Sequence, residues 1–409
     1  MRNDVAEKGI LMKLREIAAK LGIEKYPPEL DTYFEEDGFD GENILYADKD
    51  FLLGVDEKYN VFGVHRETVL SIAEDIKQDG ELLVWLNLGV KYFNEFGNDA
   101  EKCKAFPLPK TAQKSTSVDV FAIILLMSQL DMTRQRYLSR GVPENEADNN
   151  LCAFGKCFAS MSERFGRAIL PLSHFCWLCN YVSARIFNIA GFNFEVRTYP
   201  CRGIYIKNKK SKELVPLILN EKMHKSGLVL GTAGCEDEDG SWFASYEETE
   251  DAFIGYASDK DGVVHNEKKE YPKTEWELFL KPGDDMISFH IPKKADFTPE
   301  NLDKAFKEGC EKVKQYYPEK NINSLLCSSW LVSPQLKSIM KPTSNIVAFA
   351  NRFTPFPQKN DGKAVFSFVF PAGIDKYEDL PENTSLERAL KKLYLEGKYI
   401  YTYPGVFEI

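Results

Sequence analysis

The chain has 409 residues, of which 44% are hydrophobic and 13% aromatic, and its formal net charge at pH 7 is −10. This length and this apolar content favour two domains with their own hydrophobic cores, and they exclude a chain that is disordered throughout. The negative charge disfavours general binding to nucleic acid or to an anionic membrane, because the long-range electrostatic interaction is repulsive.

Neither a membrane span nor a secretory signal is predicted, which favours a cytoplasmic protein. The longest apolar run, Val120 to Met127, is far shorter than the roughly 20 residues that cross a bilayer. Acidic side chains and a helical apolar spacing over residues 1–22 are not typical of a signal peptide. The nine cysteines are irregularly spaced, which favours a reduced compartment.

One cysteine pair has the spacing of a metal or redox motif. Cys176 and Cys179 form a CxxC beside His174, but a structural zinc needs four ligands and no second pair lies nearby. Buried helix cysteines are therefore the preferred interpretation, a redox role is the alternative, and no metal is expected.

The first half of the sequence predicts helices. Apolar residues between Leu11 and Leu21 recur at i, i+3 and i+4, and Gly22 can end that helix. An apolar segment ends near Gly97, and a long helix is predicted from Ser117 to just before Gly141. Two more helices fit residues 147–165 and 172–187, so residues 1–187 are expected to form a helical bundle.

The pattern changes near Asn188, where β-branched and aromatic residues begin to alternate between turn signals. Strands are predicted over residues 192–199, 203–207, 214–219, 242–246, 252–256, 263–265 and 286–291. In the last of these, Phe289 faces one side of the sheet, and Ser288 and His290 face the other. Thr298 is predicted to cap a helix that begins at Pro299.

The remaining sequence predicts further elements after that helix. A strand is expected over 325–332, a short helix over 334–340 and two strands over 346–353 and 363–370. The capping box at Thr384 opens a final helix.

This order of strand, loop, helix, strand, short helix, strand and strand resembles the back half of the GNAT acyltransferase fold. The matching residues are Gly255, Tyr256, Gly262, Trp276, Lys281 to Asp284, His290 to Pro292, Thr298 to Glu300, Cys327 to Leu331, Pro334 to Leu336, Ser344 to Ile346, Phe349, Phe353, Leu380, Pro381 and Thr384 to Leu386. On these residues the chain resembles a bacterial family of acyltransferase-domain proteins, which join a helical N-acyltransferase N-terminal domain to a GNAT-like C-terminal domain. The motifs cover roughly residues 240–390, and the helical half matches only in layout.

The resemblance implies an α+β fold, with a helical bundle over residues 1–187 followed by a GNAT-like mixed β-sheet domain, flanked by helices, over 188–409. It also implies direct transfer of an acetyl or other acyl group from acetyl-CoA or another acyl-CoA to a small-molecule or peptidyl amine, without a metal. The acceptor, the acyl chain length and the oligomeric state are left open.

The coenzyme A site that the resemblance implies lies where the strand ending at His290 leads into the next helix. Free backbone N–H groups and the helix dipole favour an anion at such a helix start. The implied binding residues are Ile291, Pro292, Lys293, Lys294 and Thr298. GNAT enzymes carry Q/R-x-x-G-x-G/A in this loop, whereas the segment here has no glycine. That departure favours an alternative, a catalytically degenerate scaffold that binds a ligand or partner.

Three residues are candidates for the chemistry of acyl transfer. His290 is the predicted base, since an imidazole accepts a proton near neutral pH, and the alternative is a histidine that only fixes the turn before Pro292. Glu247 is a second candidate base, although its acidic neighbours favour a solvated loop. Ser329, or Ser328, is predicted to hydrogen-bond the pantetheine arm or the leaving sulfur. Cys327 fits a core position better than a nucleophile.

Three residues are candidates for substrate binding, and each has a structural alternative. Trp330 is either a shelf for substrate or a core residue. Asn345 binds substrate or shapes the turn before a strand. Arg352 binds a carboxylate or phosphate, or forms an ion pair on an edge strand.

Overall fold

The computed structural model describes residues 13–37, 45–292, 295–371, 373–374 and 376–409. The chain divides into two compact units, Met1–Asn188 and Ile189–Ile409, one residue from the boundary expected from the sequence. Lys293 and Lys294 lie outside the described residues.

The first unit consists of helices, as the sequence predicts. They are α1 (residues 13–20), α2 (Glu29–Asp37), α3 (Lys49–Tyr59), α4 (Arg66–Gln78), α5 (Gly80–Phe96), α6 (Ala100–Ala105), α7 (Ser115–Met127), α8 (Leu130–Ser139), α9 (Glu144–Phe165) and α10 (Leu172–Val182), with short 3-10 turns at Leu45–Ala47 and Gly63–His65. Aspartate caps open several of them, as when the Asp79 side chain accepts the N–H of Leu82 at 3.1 Å.

The predicted long helix from Ser117 is in fact two helices, α7 and α8. The break falls at Ser128 and Gln129, where the Ser128 hydroxyl donates to Leu125 O at 2.7 Å and the buried Gln129 amide donates to Asn94. Among the described residues, one helical stretch, Ser115–Ser139, is long and apolar enough to cross a membrane, and 67% of its most apolar window is buried. Core helices pass the same test of length and composition.

The second unit is built from strands with helices between them. It contains β2 (Phe192–Thr198), β3 (Gly203–Asn208), β4 (Leu214–Ile218), β5 (Asn220–Met223), β6 (Trp242–Ser245), β7 (Glu247–Glu248), β8 (Ala252–Ser258), β9 (Val264–Pro272), β10 (Trp276–Leu280), β11 (Asp285–His290), α11 (Pro299–Tyr316), β12 (Ser324–Ser329), α12 (Asn345–Ala350), β13 (Thr354–Pro355), α13 (Phe366–Val369), α14 (Ser385–Leu395) and β14 (Tyr403–Glu408). The preceding strand, β1 (Ile186–Ile189), crosses the boundary between the units.

Two main sheets organise these strands. Within the second unit the first sheet has the order β2-β11-β12-β14-β13, in which β11 and β12 are parallel and the other pairs antiparallel. The second has the order β10-β3-β4-β8-β7, with β9 paired to β8, and β5 pairs separately with β6. Helix α11 buries an apolar stripe, and Gly309 allows it to lie directly against the Phe194 ring of β2.

Two predicted strands were wrong. Residues 345–350 form helix α12, because the Ser344 side chain caps it by accepting the N–H of Ile346. Residues 366–369 form the single turn of α13, and the last strand of this sheet in chain order is instead β14. The strand expected over 325–332 ends at Ser329, whose Oγ accepts the N–H of Leu331 and begins a 3-10 turn at Trp330–Val332.

Candidate functional site

A cavity of about 340 Å³ lies where β11 and β12 separate. Within the described residues these parallel strands share two register positions, the last of which joins Ser288 to Leu326. Beyond it, β11 stays paired with β2 as far as His290, and β12 stays paired with β14 as far as Ser329. Each strand therefore continues on its outer partner while the gap between them opens.

The walls of this cavity are mostly apolar. They are formed by the end of β11, the loop that follows it, the end of β12 with the 3-10 turn, and one residue of α13. The described lining residues are Phe289, His290, Ile291, Pro292, Ala295, Phe297, Cys327, Ser328, Ser329, Trp330, Leu331 and Phe368. A mostly apolar pocket with a few convergent polar groups is typical of a small-molecule site.

The most distinctive polar group in the cavity is His290, which is paired with Glu195 of β2. Glu195 lies opposite Ser288 in the antiparallel register, so His290, two residues further along, presents its side chain on the same face. His290 Nε2 lies 2.8 Å from Glu195 Oε2, and the side chains are 31% and 4% exposed respectively.

This pairing favours one tautomer of the neutral imidazole. A buried carboxylate is costly unless it accepts hydrogen bonds, and Nε2–H supplies one to Glu195. With its proton on Nε2, the neutral ring carries its lone pair on Nδ1, the nitrogen that accepts a proton. The sequence analysis missed Glu195, although a glutamate within the apolar pattern of β2 was a signal of a buried partner.

The residues of β12 contribute polar groups and a thiol to the same cavity. Ser328 is exposed, and Ser329 is half-buried and accepts the N–H of Leu331 at 3.1 Å. Burial raises the pKa of the Cys327 thiol far above its ordinary value, so this side chain stays protonated and is a poor nucleophile. Trp330 is buried, as its core alternative expects, and it also lines the cavity.

Three predicted site residues lie outside the lining of this cavity. Glu247 is exposed on β7, 3.5 Å from the ammonium of Lys268. Asn345 is exposed at the first position of α12. Arg352 follows α12 and forms an ion pair with Asp303 of α11, so the alternative of an ion pair describes it, although not on a strand.

The start of α11 is less open to an anion than the sequence suggests. Thr298 is the N-cap residue, but its N–H donates to the Asp296 carboxylate at 2.9 Å, and its hydroxyl caps no described amide. Pro299 has no N–H, so the amides of the first turn that lack intrahelical acceptors are those of Glu300 and Asn301. Asp296 and Glu300 also place negative charge at this end.

The described residues contain no cluster of histidine, cysteine and acidic side chains that would hold a metal ion. The family model of the GNAT-like C-terminal domain matches residues 189–407, which is more than half of the chain. The chain belongs to the GNAT-like C-terminal domain family. The expected organisation, a helical N-terminal region followed by a GNAT-like domain, is thereby confirmed.

Solved structures similar to this GNAT-like chain share its fold over nearly the whole length. One is an acyltransferase in complex with decanoyl-CoA, with a TM-score of 0.65 and 15% identity over 97% of this chain and 99% of the other. A second is an acyltransferase in complex with decanoyl-CoA and teicoplanin, with a TM-score of 0.63, 14% identity and the same coverage. Likeness at these identities establishes the fold. No curated protein matches the sequence significantly.

Proposed function

We propose that this protein is an acyl-CoA-dependent N-acyltransferase that transfers an acyl group directly to a small-molecule or peptidyl amine. The observation that carries the proposal is the cavity between the diverging ends of β11 and β12, whose lining includes His290, paired with the buried Glu195. Acyltransferases with the same fold bind decanoyl-CoA, one of them together with teicoplanin, and this supports the choice of donor and acceptor class.

In the proposed reaction the acceptor nitrogen attacks the thioester carbonyl carbon. A C–N bond forms, the C–S bond breaks, and coenzyme A leaves as a thiolate. His290 accepts the proton that the amine loses, and the Glu195 carboxylate stabilises the resulting imidazolium. The imidazolium then returns its proton to the thiolate, which balances the reaction. We assign a hydroxyl of Ser328 or Ser329, both of which line the cavity, to donate a hydrogen bond to the departing sulfur.

We place the diphosphate of coenzyme A along the segment that follows β11. Ile291 and Pro292 line the cavity, and Thr298 lies at the start of α11. Lys293 and Lys294 would supply the positive charge that a glycine-poor loop needs to hold phosphate. The acidic Asp296 and Glu300 at the helix start work against this placement.

The negative charge at the start of α11 favours a second candidate function, a GNAT-like scaffold that binds a ligand or partner without transferring a group. Pro299 and the Thr298 N–H bonded to Asp296 remove two of the amides that normally cradle a diphosphate. Binding of acyl-CoA without turnover would fit this candidate.

The two functions are separated by the release of free thiol from acetyl-CoA and octanoyl-CoA in the presence of mixed primary amines. The N-acyltransferase is expected to release thiol in proportion to amine acylated, as followed by mass spectrometry. His290→Ala should lower kcat by about 10²- to 10⁴-fold, the usual contribution of a general base. His265→Ala is the matched control, because His265 pairs with Asp259 at 2.9 Å on the surface, outside the cavity lining.

Glu195 acts through His290 and is tested as a positioning residue. In Glu195→Gln the side-chain amide can donate to Nε2, which moves the imidazole proton to Nδ1 and disables the accepting nitrogen. We expect kcat to fall by about 10²-fold with little change in the KM for acyl-CoA. Tight acyl-CoA binding with no turnover in the native protein would instead establish the non-catalytic scaffold.

A further inference from the structure

Among the described residues that line the cavity between β11 and β12, one large apolar side chain is mostly exposed. Phe368 is 68% exposed, whereas Phe289, Trp330 and Leu331 in the same lining are 1%, 7% and 8% exposed. These three side chains have little further surface to lose to a ligand, whereas Ile291, Pro292 and Phe297 are partly exposed. Phe368 is the most exposed apolar side chain of the described lining, so an apolar ligand that reaches it gains contact there.

The position of Phe368 is fixed by the helical turn α13. Phe366 and Phe370 lie four residues apart, on the same side of the turn, with ring centroids 5.4 Å apart. Phe366 also packs edge-on against Tyr394, with centroids 4.8 Å apart, and stacks on Tyr377. Phe368 lies midway between the two anchored rings, so helical geometry directs it to the opposite side, where it meets the cavity.

The chemistry of the lining indicates what covers this ring. The polar side chains of the described lining are His290, Ser328 and Ser329, which lie at the ends of β11 and β12, whereas α13 contributes only Phe368. The ring of Phe368 offers no conventional hydrogen bond, so a polar group placed against it gains no partner from that side chain. A hydrocarbon chain loses nothing polar on entering, and each methylene that it buries improves binding about four-fold.

We propose that the cavity takes an acyl chain longer than acetyl, and that Phe368 is the specificity-determining residue that this chain covers. This inference rests on the proposed function. An acetyl group offers a single methyl and already places its carbonyl near the reacting amine. Further methylenes extend along the apolar lining and cover the exposed ring. Chain-length preference is thus set by a side chain outside the reacting groups.

The test is calorimetric binding of coenzyme A, acetyl-CoA, butyryl-CoA and octanoyl-CoA to the full chain, paired with thiol-release kinetics. The Kd of octanoyl-CoA should be at least about 16-fold lower than that of acetyl-CoA, the equivalent of two buried methylenes. Phe368→Ala should reduce this ratio about ten-fold while leaving the Kd of acetyl-CoA within about two-fold. Phe368→Leu should retain part of the preference.

Phe243→Ala is the matched control, because Phe243 is 58% exposed on β6 and lies outside the lining. This variant should leave the ratio of the Kd values of acetyl-CoA and octanoyl-CoA unchanged.

Equal binding of acetyl-CoA and octanoyl-CoA by the native chain would overturn this inference alone and leave N-acyltransfer standing. The inference would also be overturned if Phe368→Ala raised the KM for the amine but kept the ratio of the Kd values of acetyl-CoA and octanoyl-CoA, since the ring would then contact the acceptor. Failure to bind any of the four compounds would overturn both proposals, and chain-dependent binding without turnover would overturn only the transfer.

Discussion

A double-mutant cycle on Glu195 and His290 measures the interaction free energy between these two side chains. The variants are Glu195→Ala, His290→Ala and the double variant, and the quantity is the interaction free energy from the three changes in the free energy of unfolding. A double-mutant cycle isolates the pair, because the other interactions that each truncation removes cancel in the difference.

The expected magnitude follows from the geometry of the contact. Nε2 and Oε2 lie 2.8 Å apart, the carboxylate is 4% exposed and the imidazole 31% exposed. Hydrogen bonds to a charged group contribute about 1.5–3 kcal/mol in such partly dry surroundings. We therefore expect an interaction free energy of about 2 kcal/mol at pH 7. His290→Ala should be the more damaging single change, since it leaves the buried carboxylate without this donor.

The assay is urea unfolding followed by circular dichroism and tryptophan fluorescence, with the slope m compared across variants. The same cycle on Asp259 and His265 is the control, because these side chains lie at a similar distance, 2.9 Å, but are 36% and 61% exposed. A solvated pair of this kind should give below about 1 kcal/mol. Equal values for the two cycles, or a value near zero for Glu195 and His290, would refute the argument that burial strengthens the site pair.

Two further outcomes follow from packing and burial. Gly309→Ala should destabilise the protein by about 1–3 kcal/mol, because a Cβ there overlaps the Phe194 ring, whereas Gly54→Ala in α3, with nothing within 4 Å of the new Cβ, should stabilise it by about 0.5–1 kcal/mol. Urea unfolding measures both, and similar changes in the two variants would contradict the close approach of α11 to β2. In alkylation with iodoacetamide and peptide mapping, the exposed Cys152 should react in the native state, and Cys327, whose thiol pKa burial raises, only after unfolding. Modification of Cys327 in the native protein would show that the cavity wall opens.

Local sequence signals predicted the elements that hold the site. The alternation of apolar and polar residues over 286–291 identified β11, and Thr298 followed by Pro299 identified the start of α11. Both signals depend on neighbours within a few residues. The helices that were predicted in the first unit depend on the same kind of signal, whereas α2, α3, α4 and α6 were not predicted individually. The break after Met127 depends on the contact of Gln129 with Asn94, which sequence periodicity does not contain.

What the sequence missed depends on contacts between distant segments. Glu195 and His290 are 95 residues apart, and only the register of β2 on β11 brings them together. Residues 346–353 are apolar enough for a strand, but with the Ser344 cap in place residues 345–350 form a helix. Arg352 therefore reaches Asp303. The sequence did not identify Phe368 as a site residue, because the exposure of this side chain depends on how α13 packs against the rest of the domain.

The most direct test of the account is a crystal structure of the protein with a non-hydrolysable thioether analogue of octanoyl-CoA. The carbon that replaces the thioester carbonyl is predicted to lie between the separated ends of β11 and β12, beside His290, with the alkyl chain against Phe368. An analogue bound elsewhere, with the space between these strands filled by protein side chains or water, would contradict the central claim.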